Sequence, residues 1–313
     1  VGGRREPVGP LPTTPWREAL EAAGLPKAGP QLMVALDIDG TIIHHDTTLS
    51  PRVAQAIRAH LDAGTHIMVA TGRSIGAADI VMEPLGMDRG FAVLSNGSVV
   101  TAVGDDAGAL GGLDVSGLEP VPAQYRLAST PMHFWRTHTF DASKEMRLIS
   151  QNVPGAIIAL ETVGGPIRLT EEFPDGELAG VTQVTSIEDL LANPITSRLT
   201  VRVPQMSAGE LLDRVEKLGI SGVEYAVGWS AWMDITPAGV SKASGLEDVR
   251  KALGIPRAHT LTMGDSGNDC EMLEWGGLGV AMGNSSDYVR SHANTVGESV
   301  DDDGVALVLE QLL

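Results

Sequence analysis

The chain has 313 residues, 43% of them hydrophobic, with 40 acidic side chains against 22 basic ones and a formal net charge of -18. Such an apolar share excludes a disordered chain, and the length suffices for two domains with more than one core. The charge argues against nucleic acid and anionic membrane as partners, because both need a basic footprint, whereas a small phosphorylated ligand can have its charge met locally.

Residues 1–30 are rich in Pro and Gly and read as an extension, with one short helix over Trp16–Gly24. Arg4 and Arg5 are followed by Pro and Gly rather than an apolar core, so no signal peptide is expected. Leu32–Leu36 is a strand. Ser50-Pro51 opens a helix, Ser at the N-cap and Pro at N1, that runs to about Ala63. A second strand, His66–Ala70, ends in Thr71-Gly72-Arg73, and a helix follows to Leu85-Gly86. Ala92–Leu94 is a third strand, ending in Ser95-Asn96-Gly97. Strands alternating with helices imply βαβ units and a parallel sheet.

From about 99 to 235 the rhythm changes. Strands at Ile157–Thr162, Arg198–Val203 and Gly222–Val227 mix with helices near 141–152 and 207–218, which reads as an inserted α+β domain. After 236 the first rhythm returns: helix Ser241–Leu253, strand His259–Met263, loop Gly264–Asp269, helix Cys270–Trp275, strand Leu278–Ala281 and a final helix Val305–Leu312. Domain expectations follow: an extension over 1–30, a core from 31–100 and 236–313, and an insert over 101–235. Cys270 is the single cysteine. An internal disulfide is impossible, a reducing cytoplasm fits, and its apolar helix face suggests a buried, inert thiol. No stretch reaches the roughly 18 apolar residues of a membrane span.

Four chemical signals fall at the ends of expected core strands, where open α/β sheets place their ligands. The first is Val34-Ala-Leu-Asp-Ile-Asp-Gly-Thr-Ile-Ile43. Two carboxylates, Asp37 and Asp39, leave a buried strand together, which is costly unless a cation offsets their repulsion. An aspartate can attack phosphorus when a divalent cation screens the phosphate, and a second carboxylate can serve as acid and then base. The second is Thr71-Gly72, a hydroxyl and a bare backbone N–H suited to phosphate oxygens, or simply a turn. The third is Lys242, which can neutralise phosphate and nucleophile, or stand as a solvated lysine at a helix start. The fourth is Gly264-Asp265-Ser-Gly-Asn268-Asp269. Its carboxylates can complete an oxygen-rich magnesium site with Asp37, or the loop can merely cap a helix with Asp269 as N-cap.

The text LDIDGT, VATGR, SNG, GVSKASGL, GDSGNDCEML, VAMGN and DDDGVA resembles haloacid dehalogenase-like phosphatases of the Cof type, subclass IIB, over residues 32–101 and 236–313. The resemblance implies a Rossmann-like parallel-sheet core with an inserted α+β cap. It implies a magnesium-dependent phosphomonoester hydrolase acting on a small phosphorylated metabolite, a sugar or polyol phosphate, through an aspartyl-phosphate. Asp37 would be the nucleophile and a magnesium ligand. Asp39 would be the general acid/base and bind the ion through its carbonyl. Asp265 would bind the ion directly, with Asp269 supporting the same site. Thr71, Gly72, Arg73, Asn96, Lys242 and Asn268 would bind phosphate or substrate. Two departures are present: Ala243 follows Lys242 where relatives often carry Gly, and Val300 precedes Asp301-Asp302-Asp303-Gly304 where they often carry Asn. Alternatives are a phosphomutase on the same scaffold and a non-catalytic relative.

Substrate choice would lie in the insert, for which Arg136, His138, Arg168, Arg198, Arg202, Trp229 and Trp232 are candidates. The general expectation is structural: arginines in strands face solvent and tryptophans fill core or seam. Hinges are expected near 98–102 and 234–238. Oligomeric state is not legible.

Overall fold

A computed structural model describes residues 8–44, 46–174, 178–220, 223–227 and 231–313; the candidate Trp229 lies outside the described residues. Five parallel strands form the core sheet in the order Thr295–Val296, Leu278–Ala281, Thr260–Gly264, Met33–Leu36 and His66–Val69. Val34 lies between Leu261 and Ile67 in register, and Met33–Leu36 is buried at every residue. Full burial on both faces explains its unbroken apolar text. The expected helices are present as Trp16–Ala23, Pro51–Asp62, Ile75–Leu85, Lys242–Leu253, Cys270–Trp275 and Gly304–Glu310. Ser50 occupies the N-cap position before Pro51, but its side chain makes no capping hydrogen bond.

A parallel bridge from Ala70 to Val93 passes the sheet on to Gly90–Leu94. That strand opens a second, antiparallel sheet of Gly90–Leu94, Val99–Val103, Met132–Thr137 and Glu119–Pro120. Val99, Val103, Met132 and Phe134 join the main apolar core. The expected boundary at residue 101 therefore falls inside a paired strand; we propose that the insert starts after Thr137 and ends after Pro237. A strand paired with a partner some thirty residues away carries no local sign of which domain it belongs to.

The insert carries a six-stranded mixed sheet in the order Thr182–Val184, Ile167–Leu169, Ile157–Glu161, Arg198–Arg202, Trp232–Pro237 and Val223–Val227. Two helices, Ser143–Asn152 and Ala208–Leu218, cover one face; Met146, Ile149, Leu211 and Val215 pack there against Leu160, Leu199, Val201, Met233 and Ile235. Side chains alternate along a strand, so the residues between these point the other way. Antiparallel register sets Arg198 opposite Glu161 and Thr200 opposite Asp234. One face of this sheet is thus apolar and roofed by helices, while the other presents buried charges.

Two glycines set how closely the core loops approach. Gly97 has φ +94°, and a Cβ there would lie 2.0 Å from the Ser241 carbonyl oxygen. Gly40 has φ +77°, and its Cβ would meet the Asp265 carboxylate at 2.5 Å. Both positions need the left-handed backbone and the missing side chain.

Candidate active site

Asp37 follows directly on Met33–Leu36, and its N–H donates to the Met263 carbonyl at 3.0 Å. The neighbouring strand ends at Gly264, so the parallel sheet delivers Asp37 and the Asp265–Asp269 loop to the same edge. Oxygens of Asp37, Asp265 and Asp269 lie within 4.8 Å of one another, all three residues being buried. Lys242, at the first turn of its helix and fully buried, donates to Asp37 Oδ1 at 2.7 Å and to Asp269 Oδ1 at 2.6 Å. The solvated alternative for this lysine is therefore overturned. Its ammonium is raised in pKa: burial opposes the charge, but the Asp269 and Asp37 carboxylates outweigh that.

Asp269 stands at the N-cap position of Cys270–Trp275 without capping it. Its Oδ2 instead accepts from the N–H groups of Asp265 and Ser266 at 3.0 and 2.9 Å, closing the loop on itself. Asp265 accepts from Thr41 Oγ1 at 3.3 Å and Asn284 Nδ2 at 3.3 Å, and Asn284 also donates to the Gly40 carbonyl at 2.9 Å. Asn284 had no role in the sequence reading beyond its place in VAMGN.

Three buried carboxylates share one ammonium, leaving an uncompensated charge. Burial, then Asp269, pushes Asp37 up to about 7; burial, then Asp37 and Asp269, pushes Asp265 up to about 8. An all-oxygen donor set with this excess charge fits a hard divalent cation such as magnesium. Asp39 stands apart from the cluster. Its carboxylate is half exposed and is gripped by Arg73, Nη2 to Oδ1 at 2.6 Å and Nε to Oδ2 at 2.8 Å. The guanidinium is further held by the Ala77 carbonyl at 2.9 Å. Arg73, expected at phosphate, thus spends its fork on Asp39.

These pKa values carry a consequence for stability. Both carboxylates sit above their unfolded value of about 4, so in the folded, metal-free protein these two groups hold more protons than in the unfolded chain up to about pH 8. Their stabilising contribution is full below about pH 4 and is lost as pH rises through the folded values. In chelator, the melting temperature is expected to be lower at about pH 8.5 than at about pH 5.5, by more than about 5 °C, and magnesium should restore it at the higher pH. A flat melting profile in chelator would contradict the crowding of these carboxylates.

The phosphate-side candidates gather around Gly72. Thr71 is buried, donating its N–H to the Val93 carbonyl at 2.9 Å and accepting from the Arg73 N–H at its Oγ1, 3.1 Å. Ser95 and Asn96 both have positive φ, 50° and 55°. Such backbone is strained for residues other than glycine and persists only where surroundings hold it. Here Ser95 Oγ donates to Glu161 at 2.8 Å, and Asn96 Nδ2 donates to Asp234 Oδ2 at 3.2 Å. Asn268 Nδ2 in turn donates to Asn96 Oδ1 at 2.9 Å, tying the acidic loop to the same chain of contacts.

Glu161 and Asp234 come from the insert and were not singled out from the sequence. A lone acid ending the apolar run of Ile157–Glu161, and another within Trp232–Pro237, was the available signal. Arg198 joins them, donating through Nε to Glu161 at 3.0 Å and through Nη1 to Asp234 at 3.3 Å and to the Gly72 carbonyl. Arg198 and Arg202 are buried, which corrects the solvent-facing expectation for strand arginines. Trp232 is half-buried, and its Nε1 donates to Asp234 Oδ1 at 3.1 Å. Arg136 is exposed and lies over Trp135, 4.4 Å from the ring centroid, while Arg168 donates to the Asn193 carbonyl at 2.7 Å. His138 is also exposed. Cys270 is buried as expected, its thiol pushed up to about 12 by that burial first and by Asp269 next. A cavity of about 490 Å³ joins the two parts, lined by Asp37, Asp39, Thr71 and Arg73 from the core and by Arg198 and Asp234 from the insert.

Residues 34–108 and 181–309 match the family of haloacid dehalogenase-like hydrolases. The chain is 27% identical over 290 residues to the 5-amino-6-(5-phospho-D-ribitylamino)uracil phosphatase YitU of Bacillus subtilis, covering 89% of this chain and 96% of that protein. It is also 27% identical over 278 residues to a phosphoglycolate phosphatase of Natronomonas pharaonis, covering 89% and 96%. The solved structure of the subclass IIB sugar phosphatase BT4131 shares the fold, with a TM-score of 0.69 at 18% identity over 90% of this chain and 100% of that one. No helix among the described residues is long and apolar enough to cross a membrane.

Proposed function

The chain belongs to the haloacid dehalogenase-like hydrolases and is a magnesium-dependent phosphatase, and from that premise we propose that it hydrolyses a small sugar or polyol phosphate through an aspartyl-phosphate on Asp37. The observation that carries the assignment of Asp37 is its position. It is buried at the end of the central strand, one carboxylate oxygen held by Lys242, on the wall of a cavity that opens to ligand.

Asp37, Asp265 and Asp269 form the oxygen-rich side of the site, with Asp37 and Asp265 as the direct magnesium ligands and the Asp39 carbonyl as a further one. Bound there, the ion supplies charge neutralisation for the carboxylates and the incoming phosphate. Lys242 aligns Asp37 and adds a positive charge next to the transferring group. The turn at Thr71-Gly72, with Asn268 behind it, offers a hydroxyl and the Gly72 N–H to the phosphoryl oxygens, and Asn96 holds Asn268 in place. Asp39 gives its proton to the leaving oxygen and takes one from water in the second half-reaction. Arg73 keeps Asp39 aimed along the cavity wall, and each carboxylate oxygen retains a lone pair for this work. The transferring group is loosely bonded at the transition state, so placement of charge and alignment supply most of the catalysis.

A small metabolite is favoured over a phosphoprotein because core and insert together line a cavity of about 490 Å³, and within that class a sugar or polyol phosphate follows the family resemblance. The relatives' names point to different phosphate esters, so the substrate has to be read from this chain's own cavity. A reducing, cytoplasmic setting is part of the same proposal, supported by the one buried cysteine. The test is phosphate release from a panel of phosphorylated metabolites with and without magnesium. Magnesium-dependent release from a few sugar or polyol phosphates is the expected result. Transfer of labelled phosphate back to the sugar without release would replace this reading with a phosphomutase.

A further inference from the structure

Arg198 is a strand residue with a fully assembled set of partners. Nε is matched by Glu161, and Nη1 by Asp234 and the Gly72 carbonyl. Among the described residues Nη2 has no acceptor, yet the guanidinium lines the cavity that holds Asp37 and Asp39. The residue as a whole is 4% exposed, and Nη2 is its edge left open to the cavity, where a ligand oxygen or water can answer it. Its placement is fixed from both sides. Glu161 is anchored by Ser95 Oγ, and Asp234 by Thr200 Oγ1 at 2.9 Å, Trp232 Nε1 and Asn96 Nδ2. The fork therefore cannot swing away, and its free edge lies beside the turn that takes the phosphate.

We propose that Arg198 reads the leaving group, offering Nη2 to a neutral oxygen close to the phosphate, a hydroxyl or carbonyl, and that the site disfavours a second anionic group there. The charge balance supports the second half. Two buried carboxylates, Glu161 and Asp234, already face this one guanidinium, so the three-residue cluster is negative by one, with Arg198 and Asp234 on the cavity wall and Glu161 behind them. A carboxylate or further phosphate on the leaving group would meet that excess, whereas a hydroxyl would accept from Nη2 at no electrostatic cost. The sequence alone offers no such inference, because it comes from the cross-strand register that places Glu161 beside Arg198. The proposal rests on the phosphatase reading and adds the residue that discriminates among substrates.

Matched phosphate esters test it. The purified enzyme with magnesium is assayed on ribitol 5-phosphate, n-pentyl phosphate, ribonate 5-phosphate and para-nitrophenyl phosphate. The wild type should favour ribitol 5-phosphate over n-pentyl phosphate by about tenfold or more in kcat/KM, and over ribonate 5-phosphate as well. Substituting Arg198 alone strands two buried acids, so the main variant is the charge-balanced pair Arg198→Gln with Glu161→Gln. Its ribitol-to-pentyl ratio should collapse to within about threefold, chiefly through KM. Arg198→Lys, which keeps the charge without the fork, should fall between and carries the test if the double variant does not fold by circular dichroism. An unchanged ratio in the variants, or a wild type that prefers the ribonate ester, would overturn the inference while the phosphatase reading stands. No release from any of the four esters, para-nitrophenyl phosphate included, would remove both.

Discussion

Asp37→Asn is expected to lower kcat by at least about 10⁴-fold, with the fold intact and no phosphate incorporated into the protein. The amide keeps the shape and can still accept from Lys242 Nζ, so packing around the 2.7 Å contact survives. What is lost is the proposed nucleophile: a neutral amide oxygen attacks phosphorus far less readily than a carboxylate. One of three crowded negative charges also disappears, which relieves Asp265 and Asp269. The variant should therefore melt at or above the wild-type temperature in chelator while being inactive. Rapid-quench measurement with labelled substrate checks both halves. Residual turnover above about 1% of wild type, with contamination excluded, would falsify the assignment of the nucleophile.

Lys242→Met is expected to produce the larger structural effect. Lys242 is the only cation in direct contact with the cluster among the described residues, fully buried between Asp37 and Asp269. Methionine fills nearly the same space without charge, so the change isolates electrostatics from packing. Removing one partner of a buried ion pair costs about 3–5 kcal/mol, because the remaining charges stay buried and unmatched. In chelator near neutral pH the urea midpoint should fall accordingly. Acidification should recover part of the loss, since protonating the carboxylates removes the repulsion the lysine had offset. Turnover should fall by about 10³-fold or more even with saturating magnesium, because the alignment of Asp37 is gone. An unchanged urea midpoint would mean that the buried pair contributes nothing to stability.

Much of this protein is legible in its text. The unbroken apolar strand before Asp37, the Gly and Thr after it and the Thr71-Gly72 turn all sit at ends of parallel strands. Parallel strands align their C-terminal ends by construction, so Asp37, the Thr71-Gly72 turn and the Asp265–Asp269 loop, far apart in sequence, meet at one sheet edge. Lys242 was ambiguous in sequence, since a lysine at a helix start is ordinarily solvated. Gly97, whose missing side chain lets the Ser241 carbonyl come close, and Gly245, packed against Val93, bring that helix in against the turn.

What the sequence by itself determined, then, is the order of the core's elements, its parallel sheet and the candidate carboxylates at its strand ends, because periodicity and strand-end chemistry are local properties. The tertiary structure alone decided three further matters. It paired Val99–Val103, which holds residue 101, with Gly90–Leu94 and Met132–Thr137. It turned Arg73 onto Asp39. It also buried Arg198 between Glu161 and Asp234 against the Gly72 carbonyl. Each depends on which residues stand opposite one another across strands or between domains, a register that burial of whole faces selects and no short stretch of sequence specifies.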